Sequence, residues 1–422
     1  MNYKLSPSTI NYQLSTINLP ASKSISNRAL ILNALAYSNR EIKNLSDCDD
    51  TRVMVKALDS DKAVFDIGAA GTAMRFLTAF LSKIGGEWTI TGSERMKNRP
   101  IRLLVDALNS LGAKVSYLEK DGFPPLKITG TALVGGTVEM EGNVSSQYIS
   151  ALLMIAPTMR DGLTLKLKGT VISRPYILLT LKMMSDFGIK YSWNENMIHI
   201  PYQDYKPVPY EVESDWSAAS YWYEIIAFIG KNAEGTSCKL APVTDIKLLG
   251  LQQNSAQGDA KVAEIFRSLG VATEYGNDGV HLIYNGNIAK RLDYDFIEQP
   301  DLAQTFAVTC CMLGVPFRFS GLQSLKIKET DRIAALIAEL HKFGFVLSET
   351  ADGVLEWNGE RAEPDSLPSV RTYEDHRMAM AFAPVCLCGK TLIIENPEVV
   401  NKSYPNFWKD LQKIGIVLEI ML

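Results

Sequence analysis

The chain has 422 residues, of which 46% are hydrophobic and 21% are charged, and its formal net charge is −4. This length exceeds what one hydrophobic core usually serves, so we expect two domains of roughly 200 residues each. Proteins that bind nucleic acid without sequence preference carry a basic excess, so this charge argues against a nucleic-acid partner and favours local anion sites for small molecules.

The cysteines and the apolar stretches indicate where the protein works. No CxxC pair and no Cys–His spacing typical of a metal site occurs, so we expect no metal. Cys310, Cys311, Cys386 and Cys388 lie in apolar runs and are expected to be buried thiols in a reducing compartment. The first residues lack an apolar signal core, and no run of about 18 apolar residues occurs. The sequence therefore predicts a cytoplasmic protein with no membrane span.

Six apolar helices are predicted, and each begins with polar or small residues. A strongly apolar helix needs burial on nearly all sides, so these helices are expected to form the cores. Their predicted starts are Ser24, Gly71, Ser145, Asp215, Asp301 and Asp375.

Six amphipathic helices alternate with the apolar ones, and they are predicted over 51–58, 100–111, 175–187, 260–269, 331–343 and 405–414. Five of them stop at a glycine, and a short alternating segment typical of a strand follows each of Gly112, Gly188, Gly270, Gly344 and Gly415. Such recurrence indicates internal repeats, three for each domain. The proline-rich segment 201–214 is the predicted boundary. Propensity alone leaves open which half pairs with the first strand, predicted over 1–18.

The start of the first apolar helix carries Lys23, Ser24, Ser26 and Arg28. Ser24 and Ser26 are predicted to cap the helix. A helix N-terminus offers unpaired N–H groups and a partial positive charge, and added cations and hydroxyls suit it to phosphate or carboxylate. The alternative is a capped helix with two solvated cations.

Three further stretches of the first half are candidate anion sites. Gly71 begins a helix where small residues let a ligand approach the backbone, residues 91–100 place Arg95 among other cations on a loop, and Ser145 to Gln147 offer hydroxyls and an amide. A tight helix start, a solvated loop and a serine cap are the respective alternatives. The fingerprints of a P-loop and of a dinucleotide site are absent.

In the second half, Lys328, Glu329 and Arg332 surround Thr330, the predicted cap of the next helix. Lys328 and Arg332 are four residues apart and can converge on one ligand. Glu329 can then transfer a proton, with its acidity set by both cations. A surface ion pair at a helix start is the alternative.

Asp375, His376 and Arg377 precede a helix too apolar for the surface. An arginine that enters a core helix needs an anion or a carboxylate as its partner. A lone histidine is more often packed than catalytic. Asp301, before another apolar helix, is either a helix cap or a base near a hydroxyl.

Taken in order, ten segments resemble motifs of the 5-enolpyruvylshikimate-3-phosphate synthase family, and the resemblance runs nearly the length of the chain. They are the Asp215 helix start and the strings LPASKSISNRALILNALA, AGTAMR, RMKNRPI, SSQYISALLM, SRPYI, PDLAQ, KETDR, DHRMAMAF and NKSYP. The resemblance implies an α/β fold, a two-domain inside-out α/β barrel with three βαβαββ repeats around buried helices in each domain. It also implies that residues 19–213 form one domain and that 1–18 plus 214–422 form the other.

The resemblance further implies a transferase of the shikimate pathway, which leads to chorismate and the aromatic amino acids. Phosphoenolpyruvate and shikimate 3-phosphate would react to give an enolpyruvyl ether and inorganic phosphate, and the reaction would need no cofactor. The family is inhibited by glyphosate, and a monomer is its expected state.

Site residues follow from the motif positions. For catalysis the resemblance implies Lys23 between both substrates, Asp301 as base for the 5-hydroxyl, Glu329 as acid for the methylene carbon, and His376 close by. Shikimate 3-phosphate is expected at Lys23, Ser24, Arg28, Ser145, Ser146, Gln147, Ser173, Asp301, Ser324 and Lys328, with Tyr176 near its ring. Phosphoenolpyruvate is expected at Lys23, Gly71, Arg95, Gln147, Arg332, Arg377 and Lys402.

Four residues depart from the family pattern: Ala21 replaces Gly, Ala69 replaces Asn, Phe76 replaces Pro and Ser324 replaces Asn. Loss of an amide donor at Ala69 is expected to alter phosphoenolpyruvate binding or glyphosate sensitivity, in a direction the sequence leaves open.

The sequence has two alternative functions. The sister enolpyruvyl transferase for UDP-N-acetylglucosamine uses a loop cysteine and lacks KETDR and DHRMAM, so the motifs argue against it. The second alternative is a non-catalytic anion-binding relative. The presence of Lys23, Asp301 and Glu329 argues against it, because binding alone requires neither a base nor an acid.

Overall fold

The computed structural model describes residues 1–7, 15–234 and 245–421. The chain divides into two compact units. The first unit is Ala21–Val212, and the second unit joins Met1–Pro20 to Glu213–Leu422. The chain therefore passes between the units after Pro20 and again after Val212.

The strands of the described residues have the following bounds. They are β1 (Asn2–Pro7), β2 (Ser15–Asn18), β3 (Ile42–Lys43), β4 (Val64–Asp66), β5 (Gly86–Thr91), β6 (Lys114–Tyr117), β7 (Leu126–Gly130), β8 (Gly136–Glu141), β9 (Leu163–Lys168), β10 (Ser192–Asn194), β11 (Met197–Ile200), β12 (Tyr210–Glu211), β13 (Asp245–Leu249), β14 (Leu269–Tyr275), β15 (Gly279–Ile288), β16 (Leu292–Asp295), β17 (Phe317–Ser320), β18 (Ser348–Ala351), β19 (Val354–Trp357), β20 (Ser369–Val370), β21 (Leu392–Glu395) and β22 (Ile416–Met421).

The α-helices of the same residues are α1 (Lys23–Leu35), α2 (Asp49–Leu58), α3 (Gly71–Lys83), α4 (Glu94–Lys97), α5 (Arg102–Ser110), α6 (Ser146–Ile155), α7 (Arg174–Asp186), α8 (Trp216–Glu234), α9 (Val262–Ile265), α10 (Ala303–Leu313), α11 (Arg332–His341), α12 (His376–Phe382) and α13 (Phe407–Lys413). Short 3-10 segments lie at Ala156–Thr158, Gly258–Lys261, Phe266–Ser268, Pro300–Leu302, Gln323–Ile327, Ala383–Cys388 and Pro397–Lys402.

One connection pattern recurs in both units. A strand leads through a buried helix to a second, parallel strand, and an outer helix then leads to an antiparallel hairpin. The sheets β4-β5-β7-β6 and β8-β9-β11-β10 follow this pattern in the first unit, and β16-β17-β19-β18 follows it in the second. A parallel pair requires a crossover, and the apolar helices α3, α6 and α10 supply it. The predicted repeats and their buried helices are confirmed.

The chain passes between the units in two segments, which we call the crossing segments, and each of them contains a strand that pairs with a distant part of the sequence. β2 precedes α1 in sequence but pairs in parallel with β13, the strand after α8. β12 precedes α8 but pairs in parallel with β3, the strand after α1. Each crossing segment therefore completes a parallel pair inside the unit that the chain is leaving.

The first residues form two strands instead of the single strand predicted over 1–18, of which residues 8–14 lie outside the described part. β1 inserts between β21 and β22, and β2 closes the sheet β14-β15-β13-β2. Both strands belong to the second unit. In the first unit the third sheet has only β3 and β12, because α2 leads to β4 through residues 59–63 with no hairpin between them.

The glycine stops are confirmed, because Gly112, Gly188, Gly270, Gly344 and Gly415 all have positive φ between 84° and 99°. The helix predicted over 260–269 is broken into the four-residue α9 between two 3-10 segments. Its apolar face is kept, since Val262 and Phe266 are fully buried. Cys310, Cys311 and Cys386 are buried free thiols, as predicted, and Cys388 is half-buried.

Candidate active site

In the second unit, charged side chains at or just before the starts of four helices meet in one group. We call this group the charged cluster, and its members are Asp301, Lys328, Glu329, Arg332, Asp375, Arg377 and Lys402. Four cations and three carboxylates belong to it. These side chains come from the beginnings of α10, α11 and α12 and from the 3-10 segment before α13.

Arg332 lies at the centre of the charged cluster and is only 1% exposed. Its Nη1 lies 2.9 Å from Asp301 Oδ1, its Nη2 lies 3.0 Å from Glu329 Oε2, and its Nε lies 2.6 Å from Asp375 Oδ2. Burial by itself lowers the pKa of Arg332, but Asp375, Glu329 and Asp301 outweigh it and the pKa is raised. The planar guanidinium therefore joins three carboxylates in fixed directions.

Asp301 accepts from three cations and does not cap α10. Arg332 Nη1 and Lys328 Nζ lie 2.9 and 3.4 Å from Oδ1, and Arg377 Nη2 lies 3.1 Å from Oδ2. Burial would raise the pKa of Asp301, but Arg377, Lys328 and Arg332 together hold it well below its usual value. Lys328 and Arg332, which were predicted to converge on one ligand, both contact the carboxylate of Asp301.

Glu329 lies between Arg332 and Lys402, whose Nζ is 2.6 Å from Glu329 Oε1. Lys328, the predicted second partner of Glu329, pairs with Asp301 instead. The carboxylates of Asp301 and Glu329 thus contact different nitrogens of Arg332, and each has at least one further cation of its own.

The caps of α11 and α12 are aspartates. Asp331 accepts from the backbone N–H groups of Ile333 and Ala334, both at 3.1 Å, so the predicted cap Thr330 is wrong. Asp375 caps α12 by accepting from Arg377 N at 2.9 Å. Arg377 enters the core helix with Asp301 as its carboxylate partner, as its position required.

His376 and Ser324 are the two remaining site candidates of the second unit. His376 is buried, and its Nδ1 lies 3.8 Å from Asp375 Oδ1. Ser324 is half-buried in the 3-10 segment that leads to Lys328.

In the first unit, Arg28 joins several buried helices. It is 3% exposed, and its Nε donates to Thr180 Oγ1 at 2.7 Å and its Nη2 to Ser150 Oγ at 3.2 Å. Its Nη1 donates to the carbonyl of Ser24 at 2.8 Å, and its Cζ lies 5.3 Å from the ring centroid of Phe76. Burial lowers the pKa of Arg28 to about 10. All of these contacts are to uncharged groups.

Lys23 is the first residue of α1, and its Nζ lies 3.5 Å from Asp50 Oδ2. The helix starts after Ser22, which makes no side-chain cap, so the capping predicted for Ser24 and Ser26 is wrong. Ser26 instead accepts from the backbone N–H of Ser46 at 3.0 Å.

Gly71 lies beneath two guanidinium groups. A Cβ atom at this position would lie 2.7 Å from Arg99 Nη1 and 3.2 Å from Arg75 Nη1. The space that the small residues leave is therefore lined by cations, which suits an anionic ligand. Arg95 is exposed on the short helix α4.

The start of α6 is tied to the start of α3, since Gln147 Nε2 donates to Thr72 Oγ1 at 3.3 Å. Ser145 caps α6 by accepting from Gln147 N at 3.4 Å, which is the alternative given for this stretch, and Ser146 is the first residue of this helix. Ser173 precedes α7 with a left-handed backbone, φ 53° and ψ 34°. Tyr176 uses its carbonyl to accept from Thr180 Oγ1 at 3.0 Å.

Several contacts of these sites were not predicted from the sequence. Asp50, Ser150 and Thr180 stand 27, 122 and 152 residues from the cation that each one contacts, so no local spacing reveals them. Asp50 ends an acidic run directly before the helix predicted over 51–58, and this was the one available signal.

Both units gather cations near helix starts, although the net charge of the whole chain is −4. Such sites can hold anions and stabilise negative charge that develops in a reaction. Within residues 1–7, 15–234 and 245–421, no group of three or more His, Cys, Asp or Glu side chains could hold a metal ion. No described helix is long and apolar enough to span a membrane.

Known proteins resemble this chain in sequence and in structure. A family model described as EPSP synthase (3-phosphoshikimate 1-carboxyvinyltransferase) matches residues 7–61 and 58–411. A 3-phosphoshikimate 1-carboxyvinyltransferase of Bacteroides fragilis is 55% identical over 422 residues, covering 100% of this chain and 99% of the relative. One from Shewanella pealeana is 36% identical over 431 residues, covering 95% and 96%.

Solved structures share the fold at low sequence identity. An EPSP synthase from Acinetobacter baumannii has a TM-score of 0.78 at 19% identity, with 100% of both chains covered. The enolpyruvyl transferase NikO from Streptomyces tendae has a TM-score of 0.72 at 15% identity, covering 99% of this chain and 98% of its own. The expected fold class, a two-domain inside-out α/β barrel, is thereby confirmed.

Proposed function

The chain belongs to the EPSP synthase family, and from this membership we propose that it is a 3-phosphoshikimate 1-carboxyvinyltransferase of the shikimate pathway. It transfers the enolpyruvyl group of phosphoenolpyruvate to the 5-hydroxyl of shikimate 3-phosphate and releases phosphate. The product leads to chorismate and the aromatic amino acids.

The observation that carries this proposal is the pair of carboxylates around Arg332. Asp301 Oδ1 and Glu329 Oε2 contact different nitrogens of one buried guanidinium, at 2.9 and 3.0 Å. The reaction needs a base for the attacking hydroxyl and an acid for the methylene carbon. Two carboxylates held a short distance apart by a shared cation meet both needs.

In the proposed mechanism, Asp301 takes the proton of the 5-hydroxyl and Glu329 protonates the methylene carbon of phosphoenolpyruvate. The hydroxyl oxygen then bonds to the neighbouring carbon and forms a tetrahedral intermediate. Lys23 stabilises the charge of that intermediate. Loss of phosphate and of a methyl proton regenerates the double bond in the product.

The low pKa of Asp301 keeps the carboxylate ionised and ready to accept a proton, but it also makes Asp301 a weak base. The cations that lower this pKa are the proposed ligands of the substrates. A bound phosphate or carboxylate shares the charge of Lys328 and Arg377, so the pKa of Asp301 rises when the substrates bind. Substrate binding and base strength are thereby coupled.

The substrate contacts are proposed by motif position. We assign shikimate 3-phosphate to Lys23, Ser24, Arg28, Ser145, Ser146, Gln147, Ser173, Asp301, Ser324 and Lys328. We assign phosphoenolpyruvate to Lys23, Gly71, Arg95, Gln147, Arg332, Arg377 and Lys402. The buried Arg28, whose contacts to Thr180, Ser24 and Ser150 are to uncharged groups, supports an anionic ligand nearby, because a phosphate would offset its burial. The cytoplasmic location, the monomeric state and the lack of a nucleic-acid partner stay predictions.

The test is phosphate release by the purified full chain. Phosphoenolpyruvate with shikimate 3-phosphate should give stoichiometric phosphate and the enolpyruvyl ether, detected by mass spectrometry. If phosphoenolpyruvate releases phosphate with UDP-N-acetylglucosamine as the acceptor but not with shikimate 3-phosphate, the protein has the sister activity. No release with either acceptor, combined with measurable binding of shikimate 3-phosphate, would identify a non-catalytic relative.

A further inference from the structure

A serine at the start of α8 links the charged cluster to a carboxylate outside it. Ser217 Oγ accepts from Arg377 Nη2 at 3.4 Å and donates to Asp259 Oδ2. The same Arg377 Nη2 lies 3.1 Å from Asp301 Oδ2. The guanidinium of Arg377 is thus shared between the proposed base and this serine.

The hydroxyl of Ser217 has one proton, and Asp259 determines where it points. An ionised carboxylate can only accept, so the proton of Ser217 is directed to Asp259 and the oxygen lone pairs remain for Arg377. Asp259 is 3% exposed, so little water competes for this bond. Asp259 therefore makes Ser217 an acceptor for Arg377.

The segment that carries Asp259 is fixed to the start of α8. Glu213 accepts from Trp216 Nε1 and from Gln257 Nε2, both at 2.9 Å. Gln257 Oε1 in turn accepts from the backbone N–H of Trp216 at 3.2 Å. Ser217 and Asp259 are consequently held by one hydrogen-bonded piece of structure, which is what positioning another side chain requires.

We propose that Ser217 and Asp259 are positioning residues that hold the Arg377 guanidinium for the carboxylate or phosphate of phosphoenolpyruvate. This inference rests on the proposed function. When Asp301 takes a proton it loses its charge and its attraction for Arg377. The bond to Ser217, backed by the charge of Asp259, then keeps Arg377 in place.

The test compares Ser217→Ala, Asp259→Ala and the double variant in steady-state kinetics of phosphate release. Each single variant should raise KM for phosphoenolpyruvate about tenfold while KM for shikimate 3-phosphate changes less than twofold. The double variant should be no worse than either single variant, because Asp259 acts through Ser217. Ser217→Thr keeps a hydroxyl and should restore most of the loss.

Ser369→Ala is the matched control, because Ser369 Oγ also donates to a carboxylate, that of Glu395, at 2.9 Å in the same unit. It should leave both KM values unchanged. The inference would be overturned by any of three results. These are a double variant whose KM for phosphoenolpyruvate rises by the product of the two single effects, an equal rise of both KM values, or an unchanged KM for phosphoenolpyruvate. If Asp259→Ala does not fold, Ser217→Ala and Ser217→Thr decide the matter. A wild-type protein without phosphate release would refute the proposed function instead.

Discussion

Asp301 and Arg332 lie 31 residues apart in the sequence, yet Arg332 Nη1 donates to Asp301 Oδ1 at 2.9 Å in a partly buried site. The same guanidinium also contacts Glu329 and Asp375, so a single arginine links carboxylates from three helix starts. Removal of this arginine would leave several buried negative charges without their shared partner.

We therefore expect Arg332→Met to lower the free energy of unfolding by about 3–5 kcal/mol, the usual cost of breaking a buried ion pair from one side. Urea denaturation followed by circular dichroism measures this. Arg291→Met is the control, since Arg291 also contacts two carboxylates, Asp293 at 2.8 Å and Glu356 at 2.9 Å, but is solvent-exposed. Its loss should cost about 1 kcal/mol or less. Equal effects of the two substitutions would contradict the central position of Arg332.

Asp301→Ala should lower kcat by roughly 10² or more, the typical contribution of a general base. The assay is steady-state phosphate release with both substrates at saturation. Asp293→Ala, which removes an exposed aspartate of the same unit, should keep wild-type turnover. Near-normal turnover of Asp301→Ala would remove this residue from the mechanism.

Glu329→Ala should also lower kcat by roughly 10² or more, because the methylene carbon would lose its acid. The variant should in addition slow the exchange of the methylene hydrogens with D₂O, followed by NMR. Glu356→Ala is a close match, since side-chain exposure is 18% for Glu356 and 15% for Glu329 and both contact an arginine. Rapid exchange in Glu329→Ala would show that another group is the acid.

Glu224 gives the second unit a pH-dependent stability. This side chain is fully buried, its Oε1 accepts from Thr309 Oγ1 at 3.2 Å, and its Oε2 has no hydrogen-bond partner among the described residues. Burial raises the pKa of Glu224 well above 4.5. Above about pH 4.5 the glutamate of the unfolded chain releases its proton, while the folded chain retains it. The free energy of unfolding therefore falls as the pH rises toward the pKa of Glu224 in the folded protein.

Glu224→Gln removes this dependence, because the amide does not ionise. The stability gained over wild type should increase between pH 5 and pH 7 by up to about 1.4 kcal/mol per pH unit. Denaturation in urea at several pH values measures the slope. Thr309→Val should keep the wild-type slope, since burial is the main cause of the raised pKa. A constant difference between Glu224→Gln and wild type would show that Glu224 is ionised in the folded protein.

Arg28→Met should abolish most of the thermal stabilisation that shikimate 3-phosphate gives to the wild type. The bound anion is expected to offset the burial of the Arg28 charge, and methionine has no charge to offset. Melting temperatures with and without the ligand measure the difference. Arg174→Met is the control, because Arg174 stacks on Trp193 at 4.3 Å at the start of α7. Equal ligand shifts in wild type and Arg28→Met would exclude Arg28 from this subsite.

The sequence by itself determined the order of elements and most of the helix starts. Apolar periodicity, glycine stops and capping residues act over a few neighbouring positions, so they can be read without knowledge of the fold. The spacing of Lys328, Glu329 and Arg332 also predicted a shared ligand site, and that ligand stays a prediction, although the structure does bring the three side chains into one cluster with Asp301. Thr330 and Asp331 are both good caps, and here the sequence could not choose between them.

Only the tertiary structure decided which carboxylate each cation contacts. Lys402 pairs with Glu329 across 73 residues and Arg377 pairs with Asp301 across 76. Many cations in the chain could satisfy either carboxylate equally well, because Coulomb attraction has no sequence preference. The packing of separate helices makes the choice, because it determines which charged side chains at the helix starts come within hydrogen-bond distance of each other.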